Sequence, residues 1–373
     1  MWNSFHGKKQ MSSIRLFFAG DFCSKPSTSI ITISDELKNL IQSCDLKLVN
    51  FEAPLKPDVK QPTQKRERFF QNDDAPAFLR SLGFNLFSLA NNHAFDWGNE
   101  GFLKVKSVLG DNAFGAGTYD EAYRIKVVEV RGVKVGFMAL SFAAYKGAFD
   151  DVTEHEGLGC AYINDLRVNH DIIEAKKHVD YLFVLPHDGI EYIDVPTPEA
   201  IARYRDFIDY GADGVIAAHP HCPQGWEEYK SKPIFYSLGN FLFNSKENYN
   251  FHCNKPHWYD GICVVVTIID GKLSCEVVNT KNVDNIGIEI DHSEDRCRYN
   301  EELCRYLSDC EEYNKRFKKH CEYRRKSAMR VFEKSVLNHL LNKIRIKDSS
   351  DDNELVYLLK NDQRRSFVIR TIC

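Results

Sequence analysis

At one short apolar run after another, this sequence places a side chain that can bind a metal ion or move a proton. Asp21 follows IRLFFAG, Glu52 follows LKLVNF, and Asn91-Asn92-His93 follows NLFSLA. His187 closes YLFVLP, His219 and His221 close GVIAAH, and Asn240 follows PIFYSLG. Two carboxylates, an amide and several imidazoles suit two borderline divalent cations: imidazole suits Mn, Fe or Zn, while carboxylates bridge a metal pair and partly neutralise it. An all-oxygen magnesium or calcium cage does not use such a set. The HxH pair in AAHPHCPQG can give one imidazole to each metal or both to one. Taken singly, each residue has an ordinary alternative. Asp21 after Gly20 reads equally as a turn residue, Asn91-Asn92 as a helix cap, and His187 beside Pro186 as a core histidine. The ordered recurrence at strand ends separates the two readings.

The elements that must position these residues follow from periodicity. The runs above, with KVGFMALSF and ICVVVTII, have strand length, and amphipathic segments around Asp35–Cys44, Ala75–Leu82, Glu100–Leu109, Asn169–His178 and Pro198–Tyr210 read as helices. Alternating strands and helices predict an α/β sheet architecture, and such sheets carry their sites at strand ends. The Pro-, Gln- and Lys-containing stretch Lys56–Arg68 reads as a loop on the rim of the site. His252, Cys253, His257 and Trp258 read as another irregular rim loop and stay outside the ligand set.

Composition divides the chain near Gly287. Residues 291–373 contain neither Gly nor Pro, although the chain has 21 and 12 of them. That segment carries 19 Lys/Arg and 15 Asp/Glu, while the whole chain of 373 residues has a net charge of -4. Apolar stripes at Leu303, Tyr306, Leu307, Cys310, Tyr313 and Phe317, and again at Val336, Leu337, Leu340, Leu341 and Ile344, predict two or three helices. Domains are therefore expected at 12–287 and 291–373. The run Lys315–Lys326 has seven Lys/Arg and one Glu, suiting either a solvated helical face or an anionic or protein partner. The acidic overall balance argues against nucleic acid as a partner. Twelve scattered cysteines without CxxC pairs read as reduced thiols. No run of about 18 apolar residues predicts a transmembrane helix, and the N-terminal apolar run lacks a cleavage signal. A cytoplasmic location is the expectation.

The segments AGDF, LVNFEAPL, SLANNHAFDWGNEGF, LPHDGIEY, DYGADGVIAAHPHCPQGWEEY and KPIFYSLGNFLF occur in one order between about Leu16 and Phe243. In these the sequence resembles the CapA, or poly-γ-glutamate capsule biosynthesis (PGA_cap), family, whose domain is similar to calcineurin-type metallophosphoesterases. The resemblance implies a four-layer αββα sandwich with a helical C-terminal appendage outside it. It implies that Asp21 binds one metal, that Glu52 bridges, that Asn92, His187 and His219 serve the second metal, and that His221 returns to the first. His93 would be the general acid, oriented by Asp96, with Asn240 hydrogen bonding to the ligands or to substrate. Asn91, Asp188 and Glu191 join that supporting set, although structural hydrogen bonding suits Asp188, Glu191, Asp96 and Asn240 equally. The family's HWGxEY stands here as His187-Asp188-Gly189-Ile190-Glu191-Tyr192, with a carboxylate for an indole, and the superfamily's DxH stands as Asp21-Phe22-Cys23. Cys23 is read as a buried thiol rather than a ligand.

The expected function is metal-dependent hydrolysis of a phosphorylated or polymeric substrate in bacterial capsule, exopolysaccharide or poly-γ-glutamate biosynthesis. A hydroxide held by two metal ions would be the nucleophile and His93 the acid. An epimerase or amide-processing enzyme could use the same ligands, and a non-enzymatic assembly factor of a polymer-synthesis complex is the other alternative.

Overall fold

The first apolar run goes further than its sequence pattern: the strand spans Ile14–Ser24, so Asp21 lies inside it rather than past its end. Its continuation is paired by the parallel strand Asn240–Asn244, an element the alternation of apolar residues does not announce. The computed structural model describes residues 13–56, 58, 68–143, 147–150, 156–244, 255–322 and 325. The N-terminal residues, most of the Lys56–Arg68 stretch, His252, Cys253 and the stripe from Val336 to Ile344 lie outside the described residues.

Two sheets carry the chain. The larger runs from edge to edge through Thr32–Ile33, Gly287–Ile290, Lys272–Val283, Asp260–Ile269, Ile14–Ser24, Leu46–Phe51, Leu86–Ser88 and Ala113–Phe114. The smaller runs through Trp226–Tyr229, Lys232–Phe235, Gly214–Ile216, Tyr181–His187, Val133–Ser141 and Lys126–Val130. The smaller has a parallel centre and antiparallel margins, whereas the larger is parallel from Ile14–Ser24 to Ala113–Phe114 and antiparallel from Ile14–Ser24 through Lys272–Val283 to Gly287–Ile290. The inner faces meet through aromatic side chains: the Phe18 ring lies 5.4 Å from Phe183 and 6.3 Å from Phe137. Helices cover the outer faces. Asp35–Gln42, Ala75–Ser81 and Gly98–Leu109 bury Leu37, Ile41, Leu79 and Phe102 against the larger sheet. Arg167–Lys176 and Pro198–Asp209 bury Val168, Ile172, Tyr204 and Phe207 against the smaller. Local chemistry sets the helix starts: Ser34 accepts from the Leu37 amide, and Thr197 accepts from Ala200 with Pro198 at the first helical position. The result is a four-layer αββα sandwich.

Several boundaries differ from those the apolar runs suggest. GVIAAH and PIFYSLG are strands only as far as Ile216 and Phe235, which leaves His219 and His221 on a loop and puts Asn240 at the start of a new strand. Lys272–Val283 does not stand out in the sequence because its exposed margin breaks the apolar run with polar residues. In the tail, Glu294–Ser308 is a helix capped by the Ser293 hydroxyl, and a further helix covers 310–322. Among the described residues no helix is long and apolar enough to cross a membrane, and the cysteines there are free thiols.

Candidate metal centre

Two glycines let the central strands approach. A Cβ on Gly20 would stand 1.9 Å from the Gly239 carbonyl oxygen, which instead accepts the Asp21 amide at 3.0 Å. Gly239 itself has φ of 67°, in the region that glycine enters without penalty. Asp21 is thereby placed between two asparagines, Asn50 and Asn240, its register partners on the flanking parallel strands. Glu52 follows Asn50 by two residues at the end of its strand, and His187 ends the central strand of the opposing sheet. His219 and His221 come from the loop that follows Gly214–Ile216. Both have positive φ, 105° and 56°, and this bent backbone around Pro220 turns both rings toward the carboxylates.

Asp21, Glu52 and His187 offer ligand atoms that lie within 4.8 Å of one another, and all three are buried. His187 Nδ1 is 3.7 Å from Asp21 Oδ1, and His187 Nε2 is 3.9 Å from Glu52 Oε1. His221 Nδ1 is 3.5 Å from Asp21 Oδ2, and its Nε2 is 3.7 Å from Glu52 Oε1. His219 Nδ1 lies 3.2 Å from His187 Nε2, and Asn92 Oδ1 lies 2.8 Å from the same nitrogen. Most of these imidazole–carboxylate separations are too long for hydrogen bonds. Two ligands about 2.0–2.2 Å from one ion stand roughly 2.8–3.6 Å apart, close to what is observed. Burial pushes the Asp21 carboxyl above its ordinary value, although His221, Asn50 and the His219 amide pull it down. Positive charge between the carboxylates would offset that desolvation, so the donor set fits divalent cations.

Each imidazole is held by a specific neighbour. His221 Nδ1 faces Asn240 Oδ1 at 2.9 Å, while Asn240 donates to the Trp258 carbonyl at 3.0 Å. With the amide oxygen accepting, Nδ1 carries the proton and Nε2 presents its lone pair toward Glu52. His93 Nδ1 lies 2.6 Å from Asp96 Oδ2, which also accepts the Phe69 amide at 2.7 Å. An ionised Asp96 can only accept, so Nδ1 donates and Nε2 points at the cluster, 3.9 Å from Glu52 Oε1. The Phe69 ring packs edge-on against His93 at 4.6 Å.

The remaining sequence-predicted residues divide by position. Asn91 ties the turn together: it donates to the Phe51 carbonyl at 3.0 Å and accepts the His93 amide at 3.2 Å. Asn92 is half-buried beside His187. Asp188 is buried with its charge felt by Tyr204 and Arg203, on the side of the Pro198–Asp209 helix, and Glu191 is half-buried on the same loop. Cys23 packs with Ala53, Phe69, Phe243 and Trp258, and burial foremost pushes its thiol well up. Sequence reasoning missed Asn50, whose amide donates to Asp21 Oδ1 at 2.7 Å and lies 3.1 Å from His187 Nδ1. Its signal was available: it stands two residues before Glu52, on the same strand face.

The family model for the bacterial capsule synthesis protein PGA_cap matches residues 15–245. The capsule biosynthesis protein CapA of Bacillus anthracis is 30% identical over 223 residues, covering 57% of this chain and 53% of that protein. The PGA biosynthesis protein CapA of Bacillus subtilis is 31% identical over 223 residues, covering 57% of each. The chain thus spans about half the length of these relatives. Among solved structures, a phosphatase of Mycoplasma pneumoniae is similar with a TM-score of 0.45 at 16% identity, covering 72% of this chain and 94% of that one. The sulfate thiohydrolase SoxB of Thermus thermophilus has a TM-score of 0.40 at 13% identity, covering 67% and 41%.

Proposed function

This chain belongs to the bacterial capsule synthesis protein PGA_cap family, and from that premise we propose that it is a metal-dependent, phosphoesterase-like hydrolase. The observation that carries the proposal is the convergence of Asp21, Glu52 and His187 with His219 and His221 in one buried cluster. Asp21, Glu52, Asn92, His187, His219 and His221 would hold two divalent ions, Mn, Fe or Zn. Bound there, such ions supply Lewis acidity toward a phosphoryl oxygen and activate water. The chain's own residues do the rest. His93 holds a proton at Nε2 for the departing oxygen, Asp96 fixes the ring and stabilises its protonated form, and Phe69 shields the pair from water. Asn240 and Asn50 set the rings of His221 and His187. The process is capsule, exopolysaccharide or poly-γ-glutamate biosynthesis, on the strength of the CapA relatives, with a phosphorylated or polymeric substrate.

The test is elemental analysis of the purified protein after reconstitution with Mn, Fe and Zn, followed by phosphomonoester and phosphodiester hydrolysis. About two ions per chain and turnover lost on chelation are expected. A chain that takes up no stoichiometric metal sinks the hydrolase reading.

A further inference from the structure

The C-terminal helices do not stand apart from the site. The backbone of the Glu294–Ser308 helix seats against Gly225, where an added Cβ would meet the Leu303 carbonyl oxygen at 2.7 Å. From there the helices reach two loops that rim the candidate centre. The first, residues 188–197, follows His187. Its Ile190, Ile193 and Val195 pack against Leu303, Tyr306, Tyr313 and Phe317, and the Tyr313 hydroxyl donates to the Pro196 carbonyl at 2.8 Å. Asp194 on this loop receives Arg316 through both Nε and Nη2, and His320 at 2.8 Å. The second loop, 255–260, is gripped at His257, whose ring stacks on Tyr299 at 4.0 Å and 12° and whose Nδ1 pairs with Asp260 at 2.7 Å. Tyr299 also donates to Asp194 at 3.3 Å, so one side chain joins the two loops.

Both loops end on the same ring. Tyr192 of the first lies 6.2 Å from His221 at an interplanar angle of 28°, and Trp258 of the second lies 5.1 Å from it. Tyr192 and Trp258 are themselves 6.0 Å apart, and the Trp258 carbonyl accepts from the Asn240 amide that orients His221. A ligand ring keeps its orientation only if its neighbours keep theirs.

We propose that Tyr299 and Arg316 are positioning residues of the candidate metal centre, acting through the rim loops on His221. This rests on the metal-centre reading for its consequence, though its structural half can be read without metal. The chain has 4 Trp, so protein labelled with 5-fluorotryptophan gives few resonances, with Trp258 assigned by its loss in Trp258→Phe. In metal-free full-length protein, Arg316→Met and Tyr299→Leu should each shift or broaden the Trp258 resonance, and the double variant most, with the Trp97 resonance unmoved as a control. Arg316→Lys, which keeps the charge but not the two-point grip, and Tyr299→Phe, which keeps the stack but not the hydroxyl bond to Asp194, should each restore it in part. Zinc affinity of the double variant should fall by about 10-fold or more. A Trp258 resonance that stays in place overturns the proposal. So does a shifted resonance with unchanged zinc affinity, which would leave the tail as a purely structural cover. If the wild-type chain binds no zinc, the hydrolase reading fails, and the Trp258 resonance with its rescue still decides whether these residues position the rim.

Discussion

Asp21 and Asn240 are register partners on adjacent parallel strands, and the two strands meet through Gly20 and Gly239. One partner supplies a carboxylate; the other orients His221 with its amide oxygen at 2.9 Å from Nδ1. The pairing predicts that Asn240→Ala keeps the fold and lowers affinity for divalent metal by about 10- to 100-fold, since the His221 ring loses the acceptor that fixes its tautomer. Calorimetric titration with Mn or Zn checks this. Unchanged affinity would mean that Trp258 and Phe243 alone hold the ring.

His93 touches the cluster through Nε2 and its own holder through Nδ1. His93→Asn should therefore retain metal while lowering turnover by about 10²–10⁴-fold on a substrate with a poor leaving group. A substrate whose leaving group needs no proton should lose much less. Equal losses on both would assign His93 a positional role.

Asp194, on the loop that follows His187, gives a pH dependence of stability. Burial raises the cost of its charge, but hydrogen bonds from His320 and Arg316 outweigh that and hold the carboxyl well below its usual range. A carboxyl depressed in the folded state contributes stability that is present above its unfolded pKa of about 4 and is lost as pH falls toward the folded value. The stability advantage of wild type over Asp194→Asn should accordingly be level near pH 7 and shrink progressively below about pH 4. Urea melts of both proteins at several pH values measure it. An advantage that grows on acidification contradicts the assignment.

What could be read from the sequence depended on whether a residue's surroundings were local. Asp21, Glu52, His187, His219 and His221 were legible because each follows or ends an apolar run, and the parallel strands of each sheet bring such ends together. Asn50 was overlooked because an asparagine inside LKLVNF looks like an interruption of a strand: its spacing from Glu52 is local, but its partner Asp21 is not. The extension of Ile14–Ser24 through Asp21 was hidden for a related reason: it is paired by Asn240–Asn244, about 220 residues away in sequence. In the tail, the stripe Leu303, Tyr306, Tyr313 and Phe317 was visible as periodicity. Its partner was not, because Ile190, Ile193 and Val195 sit on a loop with no regular period.

That buried stripe decides what shortening the chain should do. Every residue of the converged set precedes Phe243, so the proposed boundary predicts that a chain ending at Asp291 keeps both sheets, whose last strand is Gly287–Ile290. The same cut uncovers Ile190, Ile193 and Val195, now 3%, 1% and 1% exposed, and leaves Asp194 without Arg316 and His320. An uncovered apolar strip is a surface prone to association. The shortened chain is thus expected to self-associate, which sedimentation would detect. Replacing Ile190 and Ile193 with Ser should restore the monomer without restoring full metal affinity. A shortened chain that is monomeric and binds metal like the full chain would show that the helices cover the loop without shaping the site, and would free them for a docking role.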